Sequence, residues 1–193
     1  MKKVLFLVLM CTVFGFTTRD TNVESTAFKV APESTLSVVG TSNVKGFECD
    51  YNFIEFKSPI PVYYHIEGHK IKFTNSALVL NNINFDCGGK GINRDFKDII
   101  KTKKHPHIRL ILKEIENYKK QNNVQVVVDI TMAGVTNTYK VPIVFNKTEK
   151  LEVIGNLNLL LDDFNIETPS KLFGLVKIDN HVEIAFKLFL EEV

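Results

Sequence analysis

The sequence predicts an all-β protein, an antiparallel eight-stranded barrel with one or two short helices, from three observations. Beyond residue 18, apolar and polar residues alternate at period two over most of the chain. The alternating runs number about eight and are separated by turn residues at the spacing of an antiparallel meander. Helical spacing of apolar residues is confined to one or two short segments.

Each element can be justified in chain order. Met1-Lys2-Lys3, the apolar run Val4 to Phe16 and the polar exit Thr17-Thr18-Arg19-Asp20 have the layout of a secretory signal peptide. A leader over residues 1–18 is therefore expected, followed by one barrel domain over 19–193. The apolar run is too short to span a bilayer, which takes about 20 residues. Leu36 and Val38 open the alternation, and Phe47, Cys49, Tyr51 and Phe53 share one face. Val62, Tyr64 and Ile66, the Gly68-His69 turn, then Ile71 and Phe73 read as a hairpin. Ile83, Phe85 and Cys87 alternate next.

A short helix follows, with Asn93 as its cap, Phe96, Ile99 and Ile100 on one face, and Lys101, Lys103 and Lys104 late, where the dipole favours cations. Strand patterns resume with Ile108, Leu110 and Leu112, and after Gln121-Asn122-Asn123 with Val124, Val126, Val128, Ile130 and Met132. Val135, Tyr139, Val141, Ile143 and Phe145 continue, Pro142 marking an edge or bulge because it has no N–H for a ladder. Leu157, Leu159 and Leu161 come next; Thr168-Pro169-Ser170 resembles a helix start. Val182, Ile184, Phe186, Leu188 and Leu190 end the series.

Composition narrows the function classes. Hydrophobic residues make up 45% and charged ones 24%, as in ordinary globular domains. With 24 Lys+Arg against 22 Asp+Glu the formal charge is +2, which asks for no nucleic acid or other polyanion. Removing the leader takes Cys11 with it and leaves Cys49 and Cys87, an even pair for which a disulfide is expected in an oxidising compartment.

The segments that could carry chemistry read more simply as structure. Cys87-Gly88-Gly89-Lys90-Gly91 lacks the Lys-Ser/Thr step of a phosphate loop, and a thiol nucleophile at Cys87 beside His105 competes with oxidation to Cys49. His105-Pro106-His107, with His65 and His69, has no diagnostic ligand spacing, so no metal and no cofactor is expected. Lys101, Lys103, Lys104, His105, His107 and Arg109 form a basic run, readable as a solvated helix face or as a site for an anionic headgroup at a barrel mouth.

Several segments together resemble the YceI-like family. They are Ser42-Asn43-Val44-Lys45-Gly46-Phe47, then Gly91-Ile92-Asn93-Arg94-Asp95-Phe96-Lys97-Asp98-Ile99-Ile100 followed by His105-Pro106-His107-Ile108, then Val135-Thr136-Asn137-Thr138-Tyr139-Lys140-Val141-Pro142-Ile143, and a last strand from Val182 to Leu190. The resemblance implies a lipocalin-like barrel, exported and binding polyisoprenoid or other amphipathic lipid, with no shared catalytic residues. The Cys49/Cys87 pair is not a general feature of that family.

The expected function is accordingly a periplasmic or secreted carrier, not an enzyme, that sequesters an isoprenoid, quinone-like or fatty-acyl molecule. Alternation places Phe47, Tyr51, Val126, Val128, Tyr139, Val141, Phe186 and Leu188 as candidate lining residues. An eight-stranded barrel is either filled by its own side chains or holds one small ligand, and composition by itself favours filling. A filled structural or interaction barrel of the cell envelope is thus the alternative. A thiol or hydrolytic enzyme ranks third and requires an unpaired Cys87.

Overall fold

The computed structural model describes residues 22–118, 123–167, 170–171 and 176–193. The expected leader at 1–18, the Gln121-Asn122 turn and Thr168-Pro169 lie outside the described residues. The strands are β1 (Glu24–Val30), β2 (Thr35–Ser42), β3 (Phe47–Tyr51), β4 (Ile60–Glu67), β5 (Lys70–Thr74), β6 (Ala77–Asn81) and β7 (Phe85–Asp86). After the helix α1 (Lys90–Ile99) come β8 (His107–Glu116), β9 (Asn123–Met132), β10 (Val135–Lys147), β11 (Leu151–Leu160), β12 (Ser170–Lys171) and β13 (Val176–Glu192).

All pairings are antiparallel, and eight strands close a ring in the order β1-β4-β5-β8-β9-β10-β11-β13, with β13 returning to β1. The fold is the expected eight-stranded antiparallel barrel. Closure joins the two ends of the described chain, Phe28 opposite Glu192 and Val30 opposite Leu190. The long β13 is shared: its Leu190 end pairs β1, while its Ile178 to Lys187 stretch pairs β2. From β2 the sheet continues through β3 to β7, and β6 pairs the His107 end of β8.

The inward faces follow the alternation. Along β9, Val124, Val126, Val128, Ile130 and Met132 are all buried. Two glycines let aromatic rings cross the sheet: Gly40 stands opposite Phe47 and Gly155 opposite Phe186. A Cβ at either glycine would lie 2.3 Å from the facing ring's Cζ, so the rings occupy the space a side chain would take.

β10 and β11 splay. Their ladder runs only from Ile143–Gly155 to Lys147–Leu151, so β10 from Val135 to Pro142 pairs β9 alone. Pro142 is therefore the last residue of a one-sided edge, where its missing N–H costs no bond. A 3-10 turn, Leu161–Phe164, lies beside this edge; Asn137 Nδ2 donates to Asp163 O at 2.5 Å and Tyr139 Oη to Asp163 Oδ2 at 2.9 Å.

Other local expectations are corrected. Phe53, Ile83 and Leu161 belong to 3-10 turns rather than strands, and Ile83 is exposed. Asn81 and Asn52 direct two of these turns by accepting, through their side chains, the N–H of the residue two places on. β1 and β6 were not anticipated, because each carries too few alternating apolar residues. The helix begins at Lys90, three residues before its expected Asn93 cap. Asn93 instead ties the helix's first turn to the preceding strand: Cys87 N–H donates to its Oδ1 at 2.6 Å, and its Nδ2 donates to Asp86 Oδ1 at 2.8 Å.

Candidate functional site

At the end of the barrel where β2, β9 and β11 finish, α1 lies across the opening. Its apolar stripe, Ile92, Phe96, Ile99 and Ile100, falls at i, i+4, i+7 and i+8 and faces inward. Beneath it is a cavity of about 550 Å³. Ile108, Ile130, Met132, Leu159, Val182 and Ile184 supply barrel walls, and Val38 and Phe47 close the β2–β3 side. Polar groups are confined to the rim, where the cavity reaches the surface at Ser42, Lys45, Gly88, Gly91 and Asp95. Cavity size and apolar lining match a small-molecule site.

Local chemistry holds the mouth in place. Ser42 Oγ donates to Lys45 O at 2.8 Å and accepts the Val44 and Lys45 N–H groups, which shapes the Asn43–Gly46 loop on one side. On the other side, Cys49 of β3 is bonded to Cys87, just before α1, at S–S 1.96 Å. The disulfide thus lines the cavity and tethers the entry of the helix to the barrel wall. Gly88, at φ +80°, supplies the left-handed turn between this bond and the helix. Asp86 fastens the same corner, accepting from Gly88 N–H at 3.0 Å; the hydrogen bond from Asn93, with that of Gly88, holds its carboxyl below the usual carboxylate range.

The free thiol that the enzymatic alternative requires is absent, since Cys87 is oxidised to Cys49. His105 is accounted for by packing: its ring covers Gly134, where a Cβ would meet His105 Cε1 at 2.5 Å, and its carbonyl accepts from Asn82 Nδ2 at 2.9 Å. Among the described residues no three His, Cys, Asp or Glu side chains gather into a metal site, and no helix is long and apolar enough to cross a membrane.

Of the eight lining residues named from alternation, Phe47 stands in the cavity wall. The other seven lie elsewhere in the barrel. Val128 and Val141 are buried in the core that contains Ile130 and Met132, with Tyr139 packed against it. Tyr51 anchors a second core with Phe53 and Phe85, its ring 4.9 Å and 5.0 Å from theirs, and Leu188 packs against that core. Phe186 touches both cores, and Val126 is buried between Val141 and Ile115 in register. Sequence reasoning did not propose the α1 face as cavity wall, although its apolar spacing was visible. Burial of Tyr139 and its bond to Asp163 push its phenol above the usual tyrosine range.

Comparison with known proteins agrees with this architecture. The model of the YceI-like domain matches residues 31–190. BcnA of Burkholderia cenocepacia superposes with a TM-score of 0.57 at 20% identity, over 83% of this chain and 99% of that one. A polyisoprenoid binding domain from Saccharophagus degradans, implicated in plant cell wall breakdown, gives a TM-score of 0.63 at 14% identity, over 87% and 99%. The YCEI protein of Campylobacter jejuni gives 0.53 at 11% identity, over 96% and 95%. At these identities the structural likenesses speak to the fold alone. A search of curated proteins found no match. With the domain model covering most of its length and the barrel shared with these structures, the chain belongs to the YceI-like family.

Proposed function

We propose that this protein sequesters an apolar or amphipathic lipid, of isoprenoid, quinone or fatty-acyl type, in the cavity beneath α1. The observation that carries the reading is the cavity itself: about 550 Å³, walled by aliphatic and aromatic side chains and polar only at its rim. Burial of apolar ligand surface there yields about 25 cal/mol per Å², enough to drive binding without covalent chemistry. Phe47 and the α1 stripe are the proposed direct contacts, and Ser42 and Lys45 at the rim are placed to meet a polar head. Of the other proposed lining residues, Val128 and Phe186 form the ring directly beneath the cavity, and Tyr51, Val126, Tyr139, Val141 and Leu188 pack around and below it. The similarly folded polyisoprenoid binding domain from Saccharophagus degradans supports the ligand class.

The proposed setting is the periplasm or the medium after removal of a leader at residues 1–18. The Cys49–Cys87 bond supports an oxidising compartment. The Cys49–Cys87 bond takes up the thiol that the enzymatic reading requires, which supports a binding role. The alternative, a barrel acting through its surface alone, draws on the packed cores around and below the cavity. Organic extraction of the purified protein followed by mass spectrometry, with uptake of added palmitate or geranylgeraniol, decides between them. Recovered lipid or saturable uptake is expected; repeated absence of both overturns the proposal.

A further inference from the structure

We infer that the site takes a single chain of about 18 carbons or fewer, such as one common fatty acyl chain or three isoprene units, and not a long polyprenyl chain; this rests on the lipid reading above. A methylene fills about the volume of a water in the liquid, roughly 30 Å³, so a cavity of about 550 Å³ is filled by that many carbons.

The cavity stops at the same level on every strand that walls it. On β2, Val38 lines it and the next inward residue, Leu36, does not. The same step separates Ile108 from Leu110 on β8, Ile130 from Val128 on β9, and Ile184 from Phe186 on β13. Successive inward residues are about 7 Å apart, so one ring of side chains forms a floor. Leu36 and Val128 are 7% and 4% exposed, and Leu110 and Phe186 pack against both cores, bridging the interior. Phe186 is held there because its ring lies over Gly155. Below the floor, Tyr51, Phe53 and Phe85 pack ring against ring in the second core, with Leu36 and Leu80 buried beside them. A chain longer than the cavity leaves its remainder in water and gains nothing from it.

The test is a chain-length series of saturated fatty acids from ten to twenty-four carbons, measured by displacement of a bound fluorescent fatty acid below each competitor's aggregation concentration. Inside the cavity each added methylene strengthens binding up to about fourfold (~0.8 kcal/mol). The expected affinity therefore climbs steeply and then levels off near 18 carbons. In Phe186→Ala the floor opens and the break moves to longer chains; Phe186→Leu, which keeps more of the packing, shifts it less. Affinity that keeps rising through twenty-four carbons in the unmodified protein overturns the length limit while leaving the lipid reading intact. Absence of displacement at every length, and by geranylgeraniol as well, overturns both. A break that does not move in a folded Phe186→Ala or Phe186→Leu overturns the assignment of Phe186 as the floor.

Discussion

The Cys49–Cys87 bond offers the sharpest quantitative test, because it joins β3 to the entry of α1 across 38 residues. In the chain-entropy model, closing a loop of that length removes about 13 cal/mol/K from the unfolded chain, or about 4 kcal/mol at 25 °C. That is a large fraction of the 5–15 kcal/mol typical of a whole domain. The perturbation is reduction of the native protein, paired with the double variant Cys49→Ala/Cys87→Ala. Alanine is preferred to serine because Cys49 is fully buried and a hydroxyl there would lack a partner. The assay is urea unfolding with and without reductant. Reduction should lower the unfolding free energy by about 4 kcal/mol in the native protein and leave the double variant unchanged. Loss of the tether should also weaken fatty-acid uptake, since the bond lies in the cavity wall and positions the helix that covers it. Two titratable thiols in the unreduced protein, or a change on reduction below about 1 kcal/mol, would refute the reasoning.

The remaining expectations rest on single contacts. Gly155→Ala should lose about 1–3 kcal/mol in urea unfolding, because its Cβ would stand 2.3 Å from Phe186 Cζ; adding Phe186→Leu should recover part of the loss. Asn82 is 1% exposed and donates to His105 O at 2.9 Å and to Thr102 Oγ1 at 3.3 Å, so Asn82→Ala should cost about 1–3 kcal/mol and loosen the segment after α1, read as faster amide exchange there. Tyr139 keeps its proton in the fold at pH values where the unfolded chain ionises. Its contribution is thus complete below pH 10.0 and declines as pH rises above it toward the folded value. Urea midpoints measured upward from pH 9 should fall less steeply in Tyr139→Phe than in the native protein. Ile99→Asp, which sets a charge on the cavity side of α1, should reduce lipid uptake at least tenfold while far-ultraviolet dichroism still reports the barrel.

Period two by itself determined the fold class and, on the long strands, which side chains are inside. The five apolar positions of β9 from Val124 to Met132 are all buried, because a pleated strand can turn only alternate residues inward. The cysteine pairing was equally legible, since the two cysteines beyond residue 18 leave one partner each. Tertiary structure decided the rest. Closure pairs Phe28 with Glu192 across nearly the whole chain, a long-range contact that no local pattern encodes. The start of α1 was set by the turn after the disulfide and by Asn93's bonds to Asp86 and Cys87, which outweighed its ordinary capping preference. Above all, alternation marks residues that face inward but does not distinguish those that meet one another from those that face open space. That distinction arises where Phe186 lies over Gly155 and where α1 roofs the mouth, both products of three-dimensional packing.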